Sequence, residues 1–168
     1  MGKELPKRKP NRLNGFDYGA GHAYFITICT QNREKILSKI SSVGEGLAPP
    51  EMQTTKIGKI VEEQLLLLEN RFSNLKIENY VIMPNHIHII FSLLGETGGA
   101  SPSPTICDVV CAFKSLAARE CKKIGFKDKL FQRSYHDHVI RNRNDYEEVS
   151  KYIFENPTNW KTDEFYIK

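Results

Sequence analysis

The stretch that decides the fold is YVIMPNHIHIIF, residues 80–91, an apolar run that carries His86 and His88 two positions apart. Side chains alternate between the two faces of a β-strand, so this spacing places both imidazoles on one face and the isoleucines between them on the other. One face can then build a core, while the other offers two neutral nitrogen ligands to a metal. A pair of surface or hydrogen-bonded histidines is the alternative interpretation of such a motif.

The rest of the chain predicts alternating strands and helices around this stretch. They are a strand over 23–30, a helix over 54–71, a strand over 75–83 with a turn at Pro84-Asn85, a helix over 105–124, a short strand around 138–140, and a last helix capped by Asn144 or Asp145 and running to about 155. This order predicts an α+β, ferredoxin-like (RRM-like) domain: a four-stranded antiparallel sheet with two helices on one face, plus a C-terminal helix. The other face of the sheet would be open for chemistry.

Composition indicates one domain over residues 1–168, in which residues 1–22 form a basic, partly flexible N-terminal arm. The content of 40% hydrophobic and 26% charged residues is ordinary for a soluble protein, and the longest leucine run, 65–68, is far too short to span a membrane. The four cysteines lack paired metal-binding spacing, which favours the reducing cytoplasm.

Positive charge is concentrated in two segments. Residues 1–12 hold five basic residues against one acidic residue, and residues 112–143 hold nine against three. This pattern predicts a polyanion such as nucleic acid as a partner, and a solvated basic surface is the equal alternative. The candidate nucleic-acid-binding residues are Arg12, Lys114, Arg119, Arg133 and Arg141.

The last predicted helix carries Tyr152 and Asn156 four residues apart, and therefore at one edge of its apolar stripe. If His86 and His88 hold a divalent ion, the ion would stabilise charge on a phosphodiester and the tyrosine hydroxyl could attack it. The amide oxygen of Asn156 could join the same ion. The alternative is that Tyr152 only packs on the domain with a solvated hydroxyl. The aromatic residues of the C-terminal tail are expected to pack rather than to stack on bases.

Two motifs together resemble a known family. Residues 83–88 (MPNHIH) and residues 152–157 (YIFENP) on a late helix resemble the single-tyrosine HUH transposases of bacterial insertion sequences, and are most similar to the REP-associated tyrosine transposase branch. The similarity extends to residues 24–30 with Arg33, to 113–115 and to 131–138, and so covers most of the chain.

The resemblance implies an enzyme that cleaves and rejoins single-stranded, hairpin-forming DNA through a 5′-phosphotyrosine intermediate, using Mg²⁺ or Mn²⁺. The family's metal-binding histidines correspond to His86 and His88, and its nucleophile corresponds to Tyr152. Asn156 lies where relatives place a polar residue that can join the metal. Relatives act as monomers, or as homodimers that share the active site between subunits, and the sequence leaves both open. Two alternatives also stay open: a hairpin-DNA-binding protein without strand transfer, and a metal-dependent nuclease that uses water.

Overall fold

The computed structural model describes residues 22–41, 50–95 and 104–167. Its strands are β1 (Ala23–Cys29), β2 (Ser38–Ser41), β3 (Glu51–Thr54), β4 (Leu75–Ile82), β5 (His86–Leu93) and β6 (His136–Ile140). Its helices are α1 (Lys56–Leu66), α2 (Leu68–Arg71), α3 (Ile106–Lys123) and α4 (Arg143–Glu155), with short 3₁₀ helices at Gln31–Arg33 and Trp160–Thr162. Arg12 and the other residues of 1–21, together with residues 42–49 and 96–103, lie outside the described residues.

In the described ranges, four strands form one antiparallel sheet in the order β4-β5-β1-β6. The predicted α+β class with a four-stranded antiparallel sheet is therefore confirmed. With α1 and α3, these strands follow the β-α-β-β-α-β succession of the ferredoxin-like motif. β5 lies inside the sheet, paired with β4 through the Pro84-Asn85 turn and with β1 in the register Cys29↔His86 and Thr27↔His88.

The main core fills the space between the sheet and helices α1 and α3. The alternation predicted for residues 80–91 holds, because Ile87, Ile89 and Phe91 are fully buried on the helix side of β5. The residues that meet them from neighbouring elements include Tyr24, Ile26, Ile28, Val61, Leu65, Val110 and Phe113. The histidines of the same strand consequently point to the opposite face.

That opposite face is less open than the sequence predicted. α4 and the segment after it pack against it, forming a second apolar cluster that includes Val81, Ile90, Ile153 and Trp160. The apolar stripe of α4 must be buried somewhere, and with α1 and α3 on one face only this face remains for it. The part of this face that a substrate can reach is therefore a cleft beside α4.

The boundary predicted for α4 is wrong at its N-terminus. The cap is Asn142, whose backbone is extended and whose side-chain oxygen accepts a hydrogen bond from the Asp145 N–H at 2.9 Å. Asn144 and Asp145 instead lie in the first turn, where the negative charge of Asp145 favours the helix N-terminus.

Two further details differ from the sequence prediction. The helix expected over 54–71 divides at Leu67, which keeps near-helical angles, so the break is slight. β2 and β3 form a two-stranded sheet that was not predicted, because SKIS and EMQT are too short and polar to show a clear strand periodicity. None of the helices in the described ranges is long and apolar enough to cross a membrane.

Gly58 in α1 provides a test of this packing. A Cβ atom there would lie 1.9 Å from the carbonyl oxygen of Leu37, which the Thr55 backbone N–H and hydroxyl hold in place. We expect Gly58→Ala to lower the free energy of unfolding by about 3 kcal/mol, because helix and backbone must move apart. Urea denaturation measures this. Gly95→Ala is the control, since its Cβ would meet nothing within 4 Å; equal stability of the two variants would contradict the packing.

Candidate active site

The two predicted halves of the site meet within one chain. His86 and His88 are buried on β5, and their Nε2 atoms lie 3.0 Å apart. α4 brings Tyr152 over this pair, with its ring centroid 5.1 Å from that of His88. Asn156, one turn further along α4, is also buried beside them. No partner subunit is needed to join the tyrosine to the histidines.

Hydrogen bonds orient both imidazoles. The Nδ1 of His86 lies 2.9 Å from the side-chain oxygen of Asn85, whose amide nitrogen donates to the Phe165 carbonyl. Because that oxygen can only accept, His86 carries its proton on Nδ1 and presents the lone pair of Nε2. His88 Nδ1 lies 2.8 Å from the hydroxyl of Thr27, which can donate or accept. The two Nε2 atoms are hydrogen-bonded to each other, so with the Nε2 of His86 unprotonated the Nε2–H of His88 is the donor. The Nε2 of His88 becomes a ligand when its proton moves to Nδ1, where the Thr27 hydroxyl can accept a hydrogen bond from it.

Both histidines are neutral at physiological pH. Burial, helped by the charge of Arg33, lowers the pKa of His86 to about 3. Burial and the neighbouring His86 hold the pKa of His88 well below its usual value. Neutral imidazole is the form that binds metals, so the site does not have to lose a proton before it can bind an ion.

Sequence reasoning missed Asp163, which lies after α4 and has no motif around it. Its Oδ2 accepts hydrogen bonds from the Tyr152 hydroxyl at 3.0 Å and from the Asn156 amide at 2.8 Å, and its Oδ1 accepts from the Phe165 N–H at 2.7 Å. Ligand atoms of His86, His88 and Asp163 all lie within 4.8 Å of one another. A lone aspartate in a polar tail gives no sequence signal, so only the fold identifies it.

The donor set fits a divalent ion. The Nε2 atoms of His86 and His88 lie 3.0 Å apart and are therefore close enough to bind the same ion. The side-chain oxygen of Asn156 is buried and has no hydrogen-bond partner in the part of the chain that the structure describes. An orphaned buried acceptor costs free energy unless something binds it, and an ion beside His86 would do so. His86, His88 and Asn156 are thus suited to hold a divalent ion.

Tyr152 lines an open cleft of about 450 Å³, together with Phe25, Asn156 and Asp163. Its side chain is 37% exposed, so a substrate can reach it. Burial, and then the negative charge of Asp163, raise the pKa of the Tyr152 hydroxyl above its usual value. The phenol is therefore protonated and weakly nucleophilic until a cation approaches it.

The C-terminal tail packs on the histidines, as expected. The ring of Phe165 lies 4.8 Å and that of Trp160 5.9 Å from the ring of His86, and both aromatic side chains are buried. This apolar wall excludes water from the inner side of the site and accounts for the low pKa of the imidazoles.

The predicted DNA-binding residues differ in their burial and in the groups that they contact. Lys114 is half-buried and donates to three backbone carbonyls, those of Gln132, Arg133 and Ser134, so it holds the loop before β6. Arg119 is exposed and pairs with Glu120 at 3.2 Å. Arg133 and Arg141 are also exposed.

Lys114 and Arg133 line a groove of about 540 Å³ between α3 and the loop before β6. Among the described residues, the lining also includes three further lysines, Lys122, Lys127 and Lys129, and one acidic residue, Asp128. The loop is hydrogen-bonded to the end of β1, where the Gln132 N–H donates to the Cys29 carbonyl at 2.9 Å, and Cys29 pairs with His86. The basic groove therefore lies at the histidine end of the sheet.

Known structures share this architecture. The chain superimposes on the structure of the REP-associated tyrosine transposase bound to a REP hairpin with a TM-score of 0.62, at 19% identity, covering 89% of this chain and 74% of that one. The fold is that of a REP-associated tyrosine transposase. A protein from Deinococcus radiodurans R1 described as a candidate transposase matches with a TM-score of 0.51, at 16% identity over 86% of this chain and 95% of that one.

Sequence comparison adds one relative without a described function. An uncharacterized protein of Haemophilus influenzae is 28% identical over 175 residues, covering 95% of this chain and 93% of that protein. No family model matches the chain. The resemblance to transposases that the two sequence motifs indicated is thus supported at the level of the fold.

The buried histidines predict how stability depends on pH. The imidazoles of the unfolded chain take up protons near pH 6.5, whereas the pKa of His86 in the folded chain is about 3. The buried histidines therefore make their full contribution to stability above pH 6.5, and that contribution is lost as the pH falls below this value. In metal-free buffer we expect the free energy of unfolding to fall by up to about 1.4 kcal/mol per pH unit for each histidine. Urea denaturation at pH 7, 6, 5 and 4 measures the slope. If the free energy of unfolding of His86→Gln fell with pH as steeply as that of the wild-type protein, His86 would not be a source of the pH dependence.

Proposed function

We propose that this protein cleaves and rejoins single-stranded, hairpin-forming DNA, with Tyr152 as the nucleophile and a divalent metal at His86 and His88. The observation that carries the proposal is the meeting of an accessible tyrosine with two neutral, oriented imidazoles in one chain, at 5.1 Å between the rings of Tyr152 and His88. The structural similarity to a transposase bound to a REP hairpin supports the choice of DNA as the substrate.

Each side chain has a role in this chemistry. The metal, when bound, supplies positive charge to the non-bridging oxygens of the scissile phosphate. His86, His88 and Asn156 would hold it through two nitrogens and an amide oxygen. The Tyr152 oxygen attacks phosphorus while the bond to the 3′ oxygen breaks, which leaves a 5′-phosphotyrosine and a 3′ oxyanion that takes a proton from water to become the free 3′-hydroxyl. The phenol releases its proton toward Asp163, which already accepts its hydrogen bond. The covalent link retains the energy of the broken bond for rejoining.

The basic groove is suited to the phosphate backbone of the hairpin stem. It extends along one face of α3 from Cys111 to Lys122, which is about 17 Å at 1.5 Å per residue. That length matches about five base steps of a duplex at 3.4 Å per step. The groove lies beside α3 on the helix side of the sheet and the cleft lies on the opposite face, so a single strand leaving the stem would pass around the histidine end of the sheet to enter the cleft beside Tyr152.

One observation favours a second candidate, a hairpin-DNA-binding protein without strand transfer. The Tyr152 hydroxyl is hydrogen-bonded to Asp163, and its pKa is raised, so the nucleophile is held in its unreactive form. In that case the basic groove would still bind DNA, but no covalent product would form.

Tyr152→Phe distinguishes these candidates. With single-stranded hairpin DNA and Mn²⁺, the wild-type protein should give a denaturant-resistant protein–DNA adduct on a gel, and Tyr152→Phe should give none, because the attacking oxygen is missing. The matched control is Tyr146→Phe on the same helix, whose side chain packs in the second apolar cluster.

The proposal also predicts that binding and cleavage separate. His86→Ala should abolish the adduct and leave hairpin affinity within about threefold, because the phosphate backbone supplies most of the affinity. Hairpin binding by the wild-type protein without any adduct would favour the second candidate. Cleavage that survives in Tyr152→Phe would favour a nuclease that uses water.

The basic groove is tested by charge removal. We expect the combined variant Lys127→Gln, Lys129→Gln and Arg133→Gln to weaken hairpin binding and to reduce the slope of log affinity against log salt by about 2 to 3, one unit or slightly less per lost phosphate contact. Fluorescence anisotropy over a salt series measures both. Lys59→Gln, which removes an exposed charge from α1, is the control. If the combined variant kept the salt dependence of the wild-type protein, the hairpin stem would not bind in the basic groove.

A further inference from the structure

We propose that Asp163 is a ligand of the same divalent ion, so that one carboxylate connects the metal to the Tyr152 hydroxyl. The C-terminal segment would then supply a metal ligand through Asp163 rather than only cover the site. This inference deepens the proposed function and depends on it for the identity of the site, but it makes a prediction about metal binding that needs no DNA.

The first argument is geometric. Within the described ranges, His86, His88 and Asp163 form a group of metal-ligating side chains close enough to hold one ion, with ligand atoms no more than 4.8 Å apart. A carboxylate offers about four lone-pair positions. Tyr152, Asn156 and the Phe165 N–H occupy three of them, which leaves one for an ion.

The second argument is the charge of the donor set. Two imidazoles and one amide oxygen are all neutral, whereas Mg²⁺ and Mn²⁺ prefer oxygen ligands and are usually held by at least one carboxylate. Asp163 supplies the negative charge that the predicted set of His86, His88 and Asn156 lacks. The amide of Asn156 donates its N–H to Asp163, and its oxygen is buried with no hydrogen-bond partner among the described residues. That oxygen is a further neutral ligand available to a cation between these groups.

The third argument is that the structure holds Asp163 in place. The Asp163 N–H donates to the Trp160 carbonyl in the 3₁₀ helix, and its carboxylate accepts from the Phe165 N–H. Trp160 and Phe165 in turn pack on the ring of His86. The carboxylate is therefore fixed relative to the histidines by contacts on both sides, as a preorganised ligand requires.

The consequence concerns the nucleophile. Because the Tyr152 hydroxyl lies 3.0 Å from Oδ2 of Asp163, ligation of the carboxylate would fix the attacking oxygen at a set distance from the ion. A phosphate bound to the ion would then lie beside that oxygen. Asp163 thus determines the spacing between the two halves of the site.

The test is Mn²⁺ binding in the absence of DNA. Trp160 is the only tryptophan in the sequence and lies 5.9 Å from the ring of His86, so paramagnetic Mn²⁺ at the site should quench its fluorescence. We expect Asp163→Asn to weaken Mn²⁺ binding by about tenfold or more, by quenching and by calorimetry. Glu164→Gln is the matched control: it removes the same charge from the next residue, which is exposed, and should change affinity by less than about twofold.

Two results would overturn the inference. One is equal Mn²⁺ affinity in Asp163→Asn and Glu164→Gln; the other is wild-type affinity no tighter than that of His86→Ala. Thermal unfolding without metal checks that the variants fold, and Asp163→Ser replaces Asp163→Asn if that variant does not, with the same expected loss. Loss of Mn²⁺ binding in Asp163→Asn, combined with no DNA adduct in the wild-type protein, would retain this inference and reject the proposed function.

Discussion

The antiparallel pairing of β5 with β1 is the constraint on which the rest of this structure depends. The register Cys29↔His86 and Thr27↔His88 sends both histidines away from the helices and the isoleucines of β5 toward them. A slip of one residue would exchange the two faces, so that imidazoles entered the core and isoleucines entered the cleft. Because the helix side buries large apolar residues, the free energy of the core also maintains the geometry of the site.

Burial of two imidazoles has a cost that the surrounding groups offset. Asn85 and Thr27 hydrogen-bond to the Nδ1 atoms, and Asn85 also holds the carbonyl of Phe165 through its amide nitrogen. The same asparagine therefore connects β5 to the C-terminal segment that carries Asp163. Because the imidazoles are buried, they are neutral under physiological conditions, and the protein is less stable at acid pH.

The sequence predicted most of the architecture because local patterns carry it. The two-residue alternation of residues 80–91 and the apolar stripes of α3 and α4 act within one element, and the structure confirms them. Predictions failed where the local signal is weak or shared by neighbours. The strands β2 and β3 are short and polar, and Asn142, Asn144 and Asp145 are all good capping residues, so only backbone geometry chooses among them.

By itself the sequence determined the pair of histidines on one strand face, the tyrosine and asparagine on one helix edge, and the concentration of positive charge, since each depends on residue spacing alone. The tertiary structure decided three things that spacing cannot encode: that Tyr152 meets His88 in the same chain, that the tail packs on the imidazoles and makes them neutral, and that Asp163 joins them. Each depends on how α4 crosses the sheet, and that is set by which face remains to bury its apolar stripe.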